Sequence, residues 1–343
     1  MQNEQLNSPG LQRRHAWGQL LASAGALLAV YILFAIVAPP TFRSLDNLEN
    51  MARQSVSIGV VACGMTVVMI MGGIDLSAGS VAALCCVVVA WVLRDSVPKP
   101  TEGPWIAPAS AAWKAVFAAM AVGTLVGLFN GLVIARLKIM PFITTLGTLL
   151  IARGLAKGLA NEQSVYPPKC PVIDTLMSKL DDGEHWRILP TGVWIMLGIM
   201  AVTALMLNYT ILGRQIFAVG SSERAARLCG IRIGYIKVFA YALMGWMSGV
   251  AGIIQFSKLH VGDSTTAEGL EFDAIAAVVV GGGSFSGGEG KIFGTLIGTC
   301  VMQVIKSGCA QMGWQNWKQQ IAIGCIIIVA AYVDLRRQKK MNG

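Results

Sequence analysis

The sequence predicts an all-α fold: a polytopic integral membrane protein of about ten transmembrane helices, with broken or short helices near 72–75 and 270–283. Three observations carry this. The chain is 55% hydrophobic and 13% charged, where an average soluble domain is about 25% charged. A water-soluble fold cannot hide that much apolar surface, and a bilayer removes the need to. Apolar runs of span length recur from end to end. Charge is one-sided: with the N-terminus inside and spans alternating, the inner segments hold fourteen Lys and Arg against five acids, and the rest of the chain is balanced. The whole net charge of +9 therefore follows the positive-inside rule, and nucleic acid is not needed to explain it.

The elements follow in order. Residues 1–16 form a tail with Arg13 and Arg14, expected to be cytoplasmic. The first span, 17–37, is long for the apolar part of a signal peptide and lacks a clear small-residue cleavage site before Pro39-Pro40, so it is expected as a retained helix. Further spans are expected near 54–72, 75–93, 113–135, 141–160, 191–209, 236–256, 270–281, 291–308 and 319–334. Glycines interrupt the joins at 72–73 and 281–283. The outer loops, 94–112 and 161–190, are rich in Pro and mixed charge, and 335–343 is a basic tail on the inner side. The whole, 1–343, reads as one membrane domain. Eight Cys, no C-x-x-C and three His argue against a structural metal or a disulfide framework.

The charged stretch SSERAARLCGI, from Ser221 to Ile231, stands between two apolar runs. Ser221 and Ser222 suit a helix N-cap, Glu223 and Arg227 are four apart, and Gly230 suits the stop. The resulting helix of about two turns is too short to hold alone. It needs something to lie against, either the headgroup layer or a partner.

Other motifs are weighed by their chemistry. GGID puts Asp75 beside a glycine break, Gly72-Gly73. An ionisable group in a span is a functional candidate by default. Its carboxyl is suited to binding a substrate hydroxyl, but capping the next helix with Ser77 is the preferred reading. In PFITTLGT, Pro141 opens a helix, and Thr144 and Thr145 are expected to bond their own preceding turn or a polyol. Asn130 and Asp273 are the other polar groups at depth, Asp273 near the outer end of a span and facing a water-filled cavity. GGGSFSGGEGKI fails as a P-loop, because Phe285 stands at the first Gly and Ile292 at the Ser/Thr. It fails as a nucleophile elbow, because Phe285 stands at the Ser. It reads as a glycine turn followed by a small-residue face at Gly290, Gly294 and Gly298. No ATP site, cofactor site or catalytic residue is expected in this chain.

These stretches together carry a resemblance. SSERAARLCGI resembles the coupling helix of bacterial ABC-transporter permeases of the ribose/galactose class. GGIDLSAGS at 72–80, PFITTLGT at 141–148 and GGGSFSGGEG at 281–290 are similar to motifs of that family in the same order and spacing. The chain departs from it at Ser221-Ser222, where the family usually shows Asn-Pro. The resemblance implies a bacterial inner-membrane import permease for a monosaccharide that is not itself an enzyme. It implies an ATPase with two nucleotide-binding modules that supplies ATP and Mg, a periplasmic sugar-binding protein, and a second permease copy. It also implies that the helix bearing Ser221, Ser222, Glu223, Arg224, Ala225, Ala226, Arg227 and Leu228 couples to that ATPase. Nucleosides, branched-chain amino acids or a signalling furanone remain open as substrates. An ion-coupled secondary carrier is the reading from another class, and the few charged groups at midplane speak against it.

Overall fold

The computed structural model describes residues 9–179 and 189–342. Residues 1–8 of the N-terminal tail, 180–188 of the second outer loop and Gly343 lie outside them. The described residues are helical with no strand; two isolated bridges, Ile106 to Lys169 and Val165 to Gly262, tie the outer loops down. In hydrocarbon every backbone polar group must be satisfied within the segment, which is why apolar runs of this length become helices.

The helices are α1 (Pro9–Val37), α2 (Leu45–Ile70), α3 (Ala78–Ser96), α4 (Ala109–Leu132), α5 (Pro141–Leu159), the short α6 (Pro171–Asp174), α7 (Thr191–Tyr209), α8 (Ile211–Ser221), α9 (Glu223–Leu228), α10 (Ile233–Leu259), α11 (Leu270–Val280), α12 (Ile292–Gln311) and α13 (Asn316–Asn342). Each of the ten expected spans falls on a helix. Among the described residues, seven are long and apolar enough to cross a bilayer: α2, α3, α4 with its π-helical extension Val133–Leu137, α5, α7, α10 and α12. The expected count of ten is thus supported for seven. The segment at 270–281 is the eleven-residue α11, about half a span at 1.5 Å per residue.

Boundaries follow local chemistry. Ser44 caps α2 by accepting from Asn47 N at 3.2 Å. Pro141 sits in the first turn of α5. Several helices outrun the sequence reading; for the cavity described below the two that matter are α2, which begins at Leu45 rather than 54, and α10, which runs to Leu259 rather than 256.

The central helix is α2, whose apolar window is 89% buried, against 28% for α5. Around α2 pack α7, α10, α11 and α12, with Met65, Met69, Tyr241 and Met244 fully buried between them. A second core joins α3, α4, α5 and α10 through Cys85, Cys86, Ala112, Ala156 and Phe256. Helices α4, α5 and α7 turn Phe117, Leu150 and Val202 outward, as lipid-facing surfaces do.

Two seams bring backbones together. A Cβ on Gly127 would meet Tyr241 O at 2.2 Å, and one on Gly245 would meet Gly123 O at 2.2 Å, so α4 and α10 touch without side chains between them. On α12, a Cβ on Gly298 would meet Ala277 O of α11 at 1.9 Å. The small-residue face at Gly294 and Gly298 is therefore a packing seam, and Gly290 rests on Ile70. The seam at Gly123, Gly127 and Gly245 carries the same spacing and escaped the sequence reading.

Candidate functional site

The charged segment forms α9 at the Ile70 end of α2. Ser222 is the N-cap and accepts from Ala225 N at 3.3 Å, while Ser221 closes α8 by donating to Phe217 O at 2.9 Å. The stop is a Schellman motif: Ile231 N donates to Ala226 O at 3.1 Å, Gly230 N to Arg227 O at 3.0 Å, and Gly230 has φ +80°. Glu223 does not pair with Arg227. It pairs with Lys237, because the tight turn at Gly230 folds α10 back alongside α9. Ala226 is buried in the body of the protein, so its methyl is spent on internal packing. Arg224, Ala225, Arg227 and Leu228 point away from the body, and Leu228 is 90% exposed.

Behind α9 is a close joint. A Cβ on Gly220 would meet Ile70 O at 1.7 Å and Gly288 N at 2.8 Å. Gly288 N donates to Ile70 O at 2.7 Å. The end of α8, the end of α2 and the glycine turn 281–290 thus meet at one carbonyl. Two residues past Ile70 the chain reverses at Gly72, φ +76°, a conformation that glycine adopts without strain.

The break after Gly72-Gly73 carries a buried polar chain. Asp75 Oδ1 accepts from Ser77 N at 2.8 Å and Ser77 Oγ at 2.6 Å. Ser77 Oγ accepts from Asn130 Nδ2 at 3.0 Å, and Asn130 Oδ1 accepts from Thr148 Oγ1 at 2.6 Å. Beside it, Thr145 Oγ1 donates to Ile74 O at 3.3 Å and to Pro141 O at 3.0 Å, while Thr144 Oγ1 donates to Met140 O at 3.3 Å. Buried polar groups in such a site must be satisfied in full, and this arrangement links α3, α4 and α5 across the break. Asp75 does not cap α3 in the expected register. Ser77 occupies the N-cap position without a side-chain cap bond, and Asp75 folds an Asx turn just before it. Sequence reasoning brought Gly72, Gly73, Asp75, Ser77, Asn130, Thr144 and Thr145 to attention singly; the structure gathers them. It adds Thr148, one turn beyond PFITT.

Asp273 lies elsewhere, in the first turn of α11, buried and ion-paired with Lys306 of α12. Both line a cavity of about 410 Å³ with Arg53, Gln54 and Ser57 of α2 and Lys258 of α10. The cavity sits at the Leu45 end of α2, so at 1.5 Å per residue α9 and its joint lie about 20–25 Å away along the helix. Arg53 and Lys258 escaped the sequence reading because the spans were drawn to start at 54 and end at 256, which left both as flanking charges. Lys306 lay within an expected span; a lone Lys in an apolar run was the available signal. Among the described residues no group of three His, Cys, Asp or Glu could hold a metal ion.

Comparison with known proteins meets this geometry. The ribose import permease protein RbsC of Escherichia coli (strain K12) is 36% identical over 95% of this chain and 98% of its own length. RbsC of Bacillus subtilis (strain 168) is 33% identical over 98% of this chain and 99% of its own. The galactose/methyl galactoside import permease protein MglC of Escherichia coli (strain K12) is 33% identical over 92% of this chain and 94% of its own. No solved structure matches the chain. The family model described as branched-chain amino acid transport system / permease component matches residues 47–331, which takes in the polar break, the cavity and α9, and the chain belongs to that family.

Proposed function

We propose that this protein is the membrane-spanning subunit of an ATP-driven importer in the bacterial inner membrane, moving a monosaccharide-class solute into the cytoplasm. A separate ATPase with two nucleotide-binding modules supplies ATP and Mg chemistry, a soluble periplasmic binding protein delivers the solute, and a second permease copy completes the path. Relatives are named for ribose, galactose and arabinose import. The observation that carries the reading is α9: a helix of six residues, fixed to the body by Ala226 and the Glu223–Lys237 pair, that projects Leu228 into open space. An apolar side chain held out on a braced, basic helix suits a groove in a cytoplasmic partner. Closure of that partner pushes on α9, and the joint at Gly220, Ile70 and Gly288 passes the push to the break at Gly72. The sugar names of these relatives favour a sugar over the nucleoside and furanone alternatives, and over the branched-chain amino acid in the family model's description.

The test is Leu228→Asp in vesicles reconstituted with the neighbouring ATPase and binding protein. The variant should reach the membrane and lose more than tenfold of ATP-dependent uptake, with the ATPase no longer co-purifying. Arg224→Ala should lose less than about fivefold, since exposed charges contribute about 0–1 kcal/mol. Full uptake by Leu228→Asp would leave α9 as a surface helix held at the headgroups.

A further inference from the structure

The 410 Å³ cavity holds more positive charge than its own carboxylates answer. Five charged side chains line it: Arg53, Lys258, Lys306, Glu268 and Asp273. Asp273 is taken by Lys306. Arg153, fixed by donating to Ser264 O at 2.7 Å and Thr266 O at 2.9 Å, meets Glu271 first and Glu268 second as opposite charges, so the three cavity cations face two carboxylates of which Glu268 is shared with Arg153. Arg53 and Lys258 are left. Neither pairs with a carboxylate among the described residues. Lys258 Nζ reaches only neutral oxygens, Ser57 Oγ at 3.2 Å and Gln54 O at 3.5 Å. Arg53 Nε is buried with no hydrogen-bond partner. Lys258 meets both Arg53 and Lys306 as like charges. Like charges held together in a medium of low dielectric constant raise the energy of the empty site, and an anion between them lowers it.

The rest of the wall is half amide, with Ser57 and the apolar Ile58, Ala267 and Leu270 between. Gln54, Gln255 and Gln303 offer donors and acceptors of the kind that hydroxyl groups match. The volume lies within the range of small-molecule sites, about 300–1,000 Å³. We propose that this cavity is a solute site, and that it takes a small polyhydroxylated molecule bearing a carboxylate, a sugar acid rather than a neutral sugar. Arg53 and Lys258 receive the carboxylate, and the glutamines receive the hydroxyls. The proposal rests on the permease reading and sharpens its substrate class.

The experiment is thermal unfolding of the full chain in zwitterionic phosphatidylcholine nanodiscs, which excludes anionic lipid headgroups as occupants. D-galacturonate, D-galactose and acetate are titrated at constant ionic strength. Galacturonate should stabilise with a half-saturating concentration at least fivefold below that of galactose, and acetate should act more weakly than galacturonate. In Arg53→Gln/Lys258→Gln the preference for galacturonate over galactose should vanish, with the ligand-free midpoint kept or raised. Equal response to galacturonate and galactose overturns the anionic assignment and leaves a neutral-sugar permease intact. Equal response to acetate and galacturonate overturns the hydroxyl assignment. Response to none, or a preference that survives the double substitution, overturns the site. The permease reading fails separately, on ATP-dependent uptake.

Discussion

At the residue scale, Asp75 decides between two roles. Its Oδ1 accepts from both the backbone and the hydroxyl of Ser77. An asparagine offers the same oxygen, so Asp75→Asn should keep the turn and cost less than about fivefold in uptake. Asp75→Ala leaves a buried N–H and a buried hydroxyl without their acceptor, about 1–3 kcal/mol each by general experience. It should lower the unfolding midpoint and abolish most uptake. Uptake of labelled sugar at matched expression separates the readings: equal loss in both variants means that the charge itself is needed, for substrate or for a counter-ion. Asp75 and Ser77 were legible in GGID because an acid beside paired glycines in an apolar run is rare. Their partner Thr148 was not, because nothing in its own stretch marks it apart from Thr144. Lys306 and Asp273 stand thirty-three positions apart on different helices, a distance over which spacing says nothing.

At the element scale, the helices differ in what their glycines do. On α4, Gly127 lies against the backbone of Tyr241 and Gly245, so Gly127→Ala must push α4 off α10. A loss of at least 5 °C in the unfolding midpoint is the expected outcome. On α5, a Cβ at Gly147, Gly154 or Gly158 meets nothing within 4 Å. Gly154→Ala should be neutral or stabilising, up to about 1 kcal/mol from helix propensity. If Gly154→Ala costs as much as Gly127→Ala, another helix covers that face, as a second permease copy would. The helices of the ten expected spans were legible, since each apolar run is long enough to force one, whereas the short α6 and α8 were not, lying in stretches read as loops. Helix ends were not: α2 and α10 continue past their apolar stretches, because Arg53 and Lys258 find a polar cavity there instead of lipid.

At the scale of the whole molecule, polar features divide between two ends: the cavity at the Leu45 end of α2, and α9 with the glycine turn at the Ile70 end. The one-sided distribution of basic residues leads us to propose that the Ile70 end faces the cytoplasm. The chain carries its own reporter, for Cys229 is exposed at the end of α9, whereas Cys63, Cys85, Cys86, Cys170 and Cys309 are buried. A membrane-impermeant maleimide should label Cys229 in inside-out vesicles and not in intact cells, with Cys229→Ser as the control for Cys325. Labelling of Cys229 from outside intact cells would invert the topology and with it the proposed docking of α9. The cavity was not legible in the sequence, since it is assembled from residues of four helices and a loop that the linear order does not bring together.

The meeting of Gly220, Ile70 and Gly288 has a mechanical consequence. Three segments touch there through main-chain atoms, with no side-chain rotamer at Gly220 or Gly288 to absorb a displacement. A joint of this kind has no backlash. If α9 docks a partner as proposed, its rotation should appear at the end of α2, with the reversed residue Gly72 next along the chain. On that proposal the stroke would reach the break that holds Asp75 undiminished, and adding even one methyl at position 220, where a Cβ has no room, should jam the linkage rather than loosen it.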